Sequence, residues 1–248
     1  MSGHSKWSTI KRKKGAADAK RGKVFTRLAR EIVMAAKEGG TDENSNVRLR
    51  LAIDKAKAAN MPKDNIERAI KRGSGDSKEG ALEEVMYEGY APHGIAVMVS
   101  CVTENRNRSV ADVRHVLNRG NGTLGEQGSV GWQFNRVSYF SFPSEGLDFD
   151  KVFELALEGG ADDIVEEDGT FEITGPVEAF KSISDQLFAA NISPEESELR
   201  MVPNQEIELG LDETISVLKV LENLEELDDV VSVFSNLKLT DEAMEAMS

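Results

Sequence analysis

The chain has one cysteine among its 248 residues. A lone thiol forms no intramolecular disulfide and makes no zinc site, so neither a covalent staple nor a structural metal is expected. Cys101 falls in the apolar run Ile95–Val102. That placement predicts a buried strand thiol in a reducing compartment. Histidine is almost as scarce: His4, His93 and His115 are the whole set. None lies in an HExxH pattern or beside the cysteine. There is no G-x-S-x-G elbow and no Walker A loop. Acidic residues are numerous, yet no pair of carboxylates stands out. The expectation is a protein with no catalytic residues, no metal and no cofactor. No apolar run approaches the roughly 20 residues that a membrane helix needs. The first 23 residues carry Lys, Arg and Gly without an apolar core, which excludes a secretory signal. They are basic and acid-poor, as a mitochondrial transit peptide is, but the basic residues continue through helical segments to Arg72. A mature, cytoplasmic protein is the simpler reading.

What the chain has in abundance is charge, and it is unevenly spread. Residues 1–72 hold 19 Lys+Arg against 8 Asp+Glu, a net of +11. Taken from 30 and 44 in the whole chain, that leaves 11 basic and 36 acidic residues, a net of −25. Most of the acid falls after residue 139, with 5 basic against 28 acidic. The overall net of −14 therefore hides a basic module joined to an acidic one. Such asymmetry points to nucleic acid at one end. The acidic end would be repelled by the strand and left to meet a protein partner.

The basic part reads as three short helices. Val24, Phe25, Leu28, Ile32, Ala35 and Ala36 recur at helical spacing between about Gly22 and Lys37. A second helix spans about Val47 to Ala59. The break Asn60-Met61-Pro62 precedes a third, from Pro62 to Arg72, with Gly73 as its C-cap. Beyond a Gly-Ser linker at Gly73–Ser77 the pattern turns α+β. Strands are expected at Val85–Tyr90 and Ile95–Thr103, then a helix capped by Ser109, then short strands near Thr123-Leu124 and Ser129–Phe134. From Val137 to Val202 the order is β-α-β-β-α-β, a ferredoxin-like unit. A strand near Ile207, a helix Asp212–Leu224 and a strand Val230–Phe234 follow. These are too few to stand alone and would complete the sheet begun at Val85. The expected fold is α+β: a three-helix bundle (1–75), a discontinuous middle domain (76–136 with 204–248) and an inserted acidic ferredoxin-like domain (137–203).

The candidate contact residues lie in the basic part. Lys6, Trp7, Lys11, Arg12, Lys13, Lys14, Lys20, Arg21 and Lys23 place eight positive charges within 18 positions, opposed only by Asp18. Phosphates would relieve that repulsion with release of counterions. Trp7 could stack on a base or sugar. Alternatively Trp7 packs on the bundle beside a solvated arm, or the arm pairs with the acidic half of this or another copy. The second helix adds Arg48 and Arg50, and the third adds Lys63, Arg68, Lys71 and Arg72. Helix, short break and helix resemble a helix-turn-helix. The third helix reads as having no Asn or Gln on its basic side, so phosphate or shape recognition is expected over strict base reading. A further polar loop, Asn105, Arg106, Asn107 and Arg108, either contacts RNA or protein or caps backbone groups. Gly120-Asn121-Gly122-Thr123-Leu124-Gly125 fits G-x-G-x-x-G. It closes a helix and leads into a strand, the reverse of a dinucleotide fingerprint, and reads as a helix cap and turn.

Several of these segments also carry a family resemblance. Gly3-His4-Ser5-Lys6-Trp7, Arg21-Gly22-Lys23, Ala59-Asn60-Met61-Pro62-Lys63-Asp64-Asn65-Ile66 and Tyr87-Glu88-Gly89-Tyr90 are its marks. Asn105-Arg106-Asn107-Arg108, Val113-Arg114-His115, Leu124-Gly125 and Gly128-Ser129-Val130 continue it. Together they resemble the YebC/PmpR family along almost the whole chain. The resemblance implies a three-domain protein with the third domain inserted in the second. It implies a cytoplasmic, DNA-binding transcriptional regulator. Other members, including mitochondrial relatives, resemble ribosome-associated translation factors that help synthesis through consecutive prolines. One departure is Asn46-Val47 where the family usually has Asn-Pro. Without proline at the first helical position, a floppier start to the second helix is expected.

Overall fold

The structure, a computed structural model, describes residues 18–75, 82–240 and 242–243. Its first three elements are helices: α1 (Asp18–Gly39), α2 (Val47–Ala58) and α3 (Lys63–Gly73). They share a core of small residues, Ala35, Ala36, Ala52, Ala56 and Ala69, around Ile32, Leu49 and Ile53. Small side chains let the helix backbones approach closely and leave little apolar area to bury. The bundle compensates by packing on Val102 of the neighbouring sheet and on Leu82, which leads into that sheet.

That sheet has the order β3-β1-β2-β8. Its strands are β1 (Glu83–Tyr90), β2 (Ala96–Thr103), β3 (Thr123–Leu124) and β8 (Val230–Ser235). β2 pairs antiparallel with β1, Val85 opposite Cys101, and with β8, Val99 opposite Val233. Every residue of β2 is buried, because both faces of the strand are covered. Ile95, Val97, Val99 and Cys101 alternate toward α4 (Arg106–Arg119) and α7 (Leu211–Glu225), meeting Val113, Leu117, Val217 and Leu221. Val102 belongs to the core of the bundle. The segment from α7 to β8 thus completes the sheet opened by β1.

The second compact unit is Phe134–Val202. It runs β4 (Phe134–Pro143), α5 (Phe149–Glu158), β5 (Asp163–Glu167), β6 (Thr170–Gly175), α6 (Phe180–Ala189) and β7 (Glu196–Pro203). The sheet order β5-β6-β4-β7, with β6 antiparallel to both β5 and β4, is that of a ferredoxin-like unit. Phe140, Phe142, Phe171 and Ile173 alternate toward α5 and α6 and meet Val152, Ile183 and Leu187. The fold is α+β, a helical bundle followed by two α+β domains with one inserted in the other.

Three local expectations are corrected. Ser129–Gln133 is not a strand, and Phe134 already belongs to β4. The segment forms turns, and the carboxylate of Glu88 accepts from its Val130 and Gly131 N–H groups and from Gly128 N just before it. The segment near Ile207 makes a single parallel bridge to Leu237 and no strand. The helix after β2 starts at Arg106, not Ser109. Asn105 is its cap, its side chain accepting from Arg108 N at 3.1 Å.

Candidate nucleic-acid interface

The start of α2 is held firmly, against the expectation of a floppy one. Asn46 is buried, and its Oδ1 accepts from Leu49 N at 3.0 Å. Its Nδ2 donates to Ala35 O and Gly40 O, both at 2.7 Å. One side chain therefore caps α2 and ties it to the end of α1, which supplies the rigidity that proline would otherwise give.

The candidate cations divide by what they touch. Lys6, Trp7, Lys11, Arg12, Lys13 and Lys14 lie outside the described residues, and Lys20 and Arg21 are described only as part of α1. Lys23 Nζ donates to Glu226 O at 3.0 Å, at the C-terminus of α7, where a cation meets the negative end of the helix. Arg48 pairs with Glu38 and Lys63 with Glu67. Arg50 is half-buried. Arg72 pairs with Glu104 at 3.2 Å. Arg68 and Lys71 are exposed and make no ion pair among the described residues. The outer side of α3 also shows Asp64 and Glu67 beside Lys63, Arg68 and Lys71. A mixed-charge face suits a recognition helix poorly.

One face of α3 is different. Asn65, Arg68 and Arg72, spaced i, i+3 and i+7, line a cavity of about 320 Å³ shared with Phe25, Arg30 and Val33 of α1. This corrects the reading of α3: Asn65 does share a face with its arginines. The apolar count placed Ile66, Ala69 and Ile70 inward. It did not show that Asn65 sits one turn below Ala69, at the edge of that inward side.

Behind the cavity is a buried charge hub. Asp229 accepts from Arg30 Nη2 at 2.8 Å, from Arg108 Nη2 at 2.9 Å and from Thr103 Oγ1 at 2.9 Å. Asp229 is almost fully buried, and Arg108 remains about half exposed. Arg30 and Arg108 pair with Asp229 and Arg72 with Glu104, and the charge of Asp112 also acts on Arg108. Guanidinium forks match phosphate oxygens in pairs. Cys101 lies near this hub, and burial, then the charge of Asp229, push its thiol up to about 12. Arg30, Glu104 and Asp229 were not found from sequence. Their partners lie 32 to 199 positions away, and no local spacing reports such pairs.

The Asn105–Arg108 segment is mainly structural at its ends. Asn105 caps α4, and Arg108 is fixed on Asp229. Arg106 Nε donates to Glu83 at 2.6 Å, and Asn107 is exposed. The Gly120–Gly125 run closes α4 and enters β3. A Cβ on Gly120 would lie 2.3 Å from Val220, and one on Gly122 2.4 Å from Tyr90 O. Close packing, not a phosphate, explains these glycines.

Glu88, 8% exposed, is the other buried acid of this sheet. Its carboxylate accepts from Gly128 N at 2.7 Å, Val130 N at 2.8 Å and Gly131 N at 2.7 Å. Burial works against its charge, yet the three backbone donors hold its pKa below the ordinary value. The motifs around Glu88 and Gly128-Ser129-Val130 therefore meet as one clasp. Among the described residues no helix is long and apolar enough to cross a membrane, and no cluster of His, Cys, Asp and Glu could hold a metal ion.

The chain is similar to known proteins along its length. Residues 5–76 match the family model described as the TACO1/YebC protein N-terminal domain. Residues 82–237 match the one described as the TACO1/YebC second and third domain. A protein of Geotalea uraniireducens named "Probable transcriptional regulatory protein" is 49% identical over 247 residues, covering 100% of both chains. One of Nitrosococcus oceani with the same name is 49% identical over 245 residues, 98% of each chain. The crystal structure of a conserved hypothetical protein from Aquifex aeolicus matches with a TM-score of 0.81 at 40% identity, covering 90% of this chain and 93% of that one.

Proposed function

We propose a function for a chain that belongs to the TACO1/YebC family: it is a non-enzymatic, DNA-binding regulator of transcription, acting in the cytoplasm. The observation that carries this reading is the charge split, +11 in residues 1–72 against −25 in the rest. The names of the bacterial relatives support the regulatory part. Residues 1–75 form the binding domain. Its arm (Lys6 to Lys23) and the exposed cations Arg68, at the rim of the cavity, and Lys71 grip phosphates. The middle domain (76–136 with 204–248) carries the bundle, and the acidic domain (137–203) turns from the strand and meets a protein. Because phosphate contacts release counterions, affinity for a DNA duplex falls by about a thousandfold or more between about 50 and 200 mM salt if roughly 6–10 phosphates are engaged. Fluorescence anisotropy at stepped salt measures this. A flat response overturns the electrostatic model.

A second reading is favoured by one observation, the orientation of α3. Its Asn65, Arg68 and Arg72 face lines a cavity against α1, and its outer face carries acid. That suits RNA on a ribosome, recognised by phosphate, shape and stacking, better than the major groove of a duplex. Co-sedimentation with ribosomes, abolished by replacing Lys11–Lys14 with alanine, supports this translation-factor reading. A tight promoter footprint without ribosome association excludes it.

A further inference from the structure

We infer that the cavity between α1 and α3 receives one unpaired nucleotide of a single strand. The inference rests on the reading that the bundle is the nucleic-acid-binding part, and it names what that part takes. The cavity is about 320 Å³, at the small end of the roughly 300–1,000 Å³ typical of small-molecule sites. Its walls are of two kinds. Val33, Met61 and Leu82 are apolar, and Phe25 adds a ring. Arg68 and Asn65 bring a guanidinium and an amide to the same space, beside Arg30 and Arg72, and the Glu104 carboxylate that lines it too is paired with Arg72.

A ligand that satisfies both kinds of wall has a flat, weakly polar part and an anionic part. A nucleotide has that form: the base against Phe25 and the apolar wall, the phosphate at the guanidinium groups. The Asn65 amide carries one acceptor and two donors, the complement that a base edge needs. Arg30 offers a further sign of an unmet partner. Its Nη2 holds Asp229, while its Nη1 is buried with no hydrogen-bond partner, and native proteins keep few such groups. A duplex presents phosphates outward and keeps its bases paired, so it would meet the arginines and leave the apolar wall empty. Inorganic phosphate would do the same. Only an unstacked base fills the space, and stacking on an aromatic ring is tolerant of sequence.

Methyl NMR of the full chain, labelled at Met and Leu, reads the site directly. Met61 and Leu82 line the cavity, and Met34 is a buried control elsewhere in the bundle. The probes are a single-stranded octamer of uridine, its deoxythymidine counterpart, a mixed-sequence DNA duplex of equal length, uridine monophosphate and inorganic phosphate. The single strands are expected to shift Met61 and Leu82 to saturation and leave Met34 in place. The monophosphate shifts the same methyls with lower affinity, as a free nucleotide lacking strand contacts would. Duplex and inorganic phosphate leave them unmoved. The two octamers tell ribose from deoxyribose. Arg68→Ala, at an exposed site with no ion pair among the described residues, weakens single-strand affinity about tenfold with the unliganded spectrum unchanged, and Phe25→Leu weakens it while Phe25→Tyr retains it. If inorganic phosphate or duplex moves Met61 and Leu82 as the single strand does, the cavity is only an anion contact and the inference fails. If the chain binds the octamer by anisotropy while these methyls stay still, the inference fails and the nucleic-acid reading stands. If the chain binds no probe by either method, both fail.

Discussion

In the inserted unit, Arg200 is 1% exposed, lies 3.4 Å over the ring of Tyr139 and donates to Glu196 at 2.7 Å and Glu198 at 2.9 Å. In the bundle, Arg68 is exposed without an ion pair among the described residues, and the arginines beside it rim an open cavity. Arg200 is the only arginine after Arg136. Burial works against its charge, and the two glutamates and the tyrosine more than restore it, so its pKa lies above the ordinary guanidinium value. The acidic unit turns its arginine inward and neutralises it. Residues 1–72, which include the bundle, hold 19 basic against 8 acidic residues. Formal charge says how many cations each region holds; the position of the counter-charge says which of them can act on another molecule.

The largest expected effect comes from breaking the inward case. Arg200→Ala removes a cation buried against two carboxylates and an aromatic ring, a change that costs about 3–5 kcal/mol in comparable buried pairs. A shift of the urea midpoint, followed by circular dichroism, measures it. Affinity for nucleic acid should stay within about twofold at a salt concentration where wild type binds. A matching loss of affinity would mean that the two regions do not divide their roles as described. Asp229→Asn tests the boundary between the two behaviours. It removes the carboxylate to which Arg30 and Arg108 hydrogen-bond, and hydrogen bonds to charged groups contribute about 1.5–3 kcal/mol. The effect should fall below that of Arg200→Ala, because Arg108 is about half exposed and can rehydrate. An unchanged urea midpoint would show that α1 stays docked on the sheet without this hub.

Periodicity made much of this fold legible. The spacing of Leu49, Ala52, Ile53, Ala56 and Ala59 placed α2 within a residue of its observed end, because an amphipathic face is a local property. The β-α-β-β-α-β order after residue 137 was equally plain, since its Gly and Asp-Gly breaks fall between clear runs. What stayed hidden depends on side chains meeting across long separations. Glu88 reaches 40 to 43 positions to clasp a turn, so Ser129–Phe134 looked like a strand from its apolar content alone. Ile207 has a strand-like neighbourhood, but only one bridge forms. The cavity was invisible for the same reason: Phe25, Asn65 and Leu82 become neighbours only after α1 and α3 pack.

Glu88 sharpens the contrast from the acidic side. It is a buried charge met by backbone dipoles instead of a counter-ion. Glu88→Gln keeps the shape and loses the charge-assisted acceptors, at about 1–3 kcal/mol. Its pKa is held below the ordinary 4.5 in the folded state. The stabilisation is therefore fully present above that value and is lost as pH falls through the lower, folded one. Wild type should lose stability below about pH 4.5 more steeply than the variant. Equal slopes in urea melts between pH 5 and 3 would show that the clasp does not depend on ionisation.

The smallest effect on stability should come with a clear effect on binding. Lys71 is exposed at the end of α3 and makes no ion pair among the described residues. Lys71→Ala should change the urea midpoint by less than about 0.5 kcal/mol, as surface substitutions do. If Lys71 meets a phosphate, the slope of log affinity against log salt should fall by about 1, uniformly across sequences. Arg200→Ala should show the reverse pattern, a large loss of stability and an unchanged slope. Should Lys71→Ala leave the slope untouched as well, the outward cations of the bundle take no part in the grip. The binding charge then lies in the arm, and Lys11–Lys14 become the residues on which the salt dependence turns.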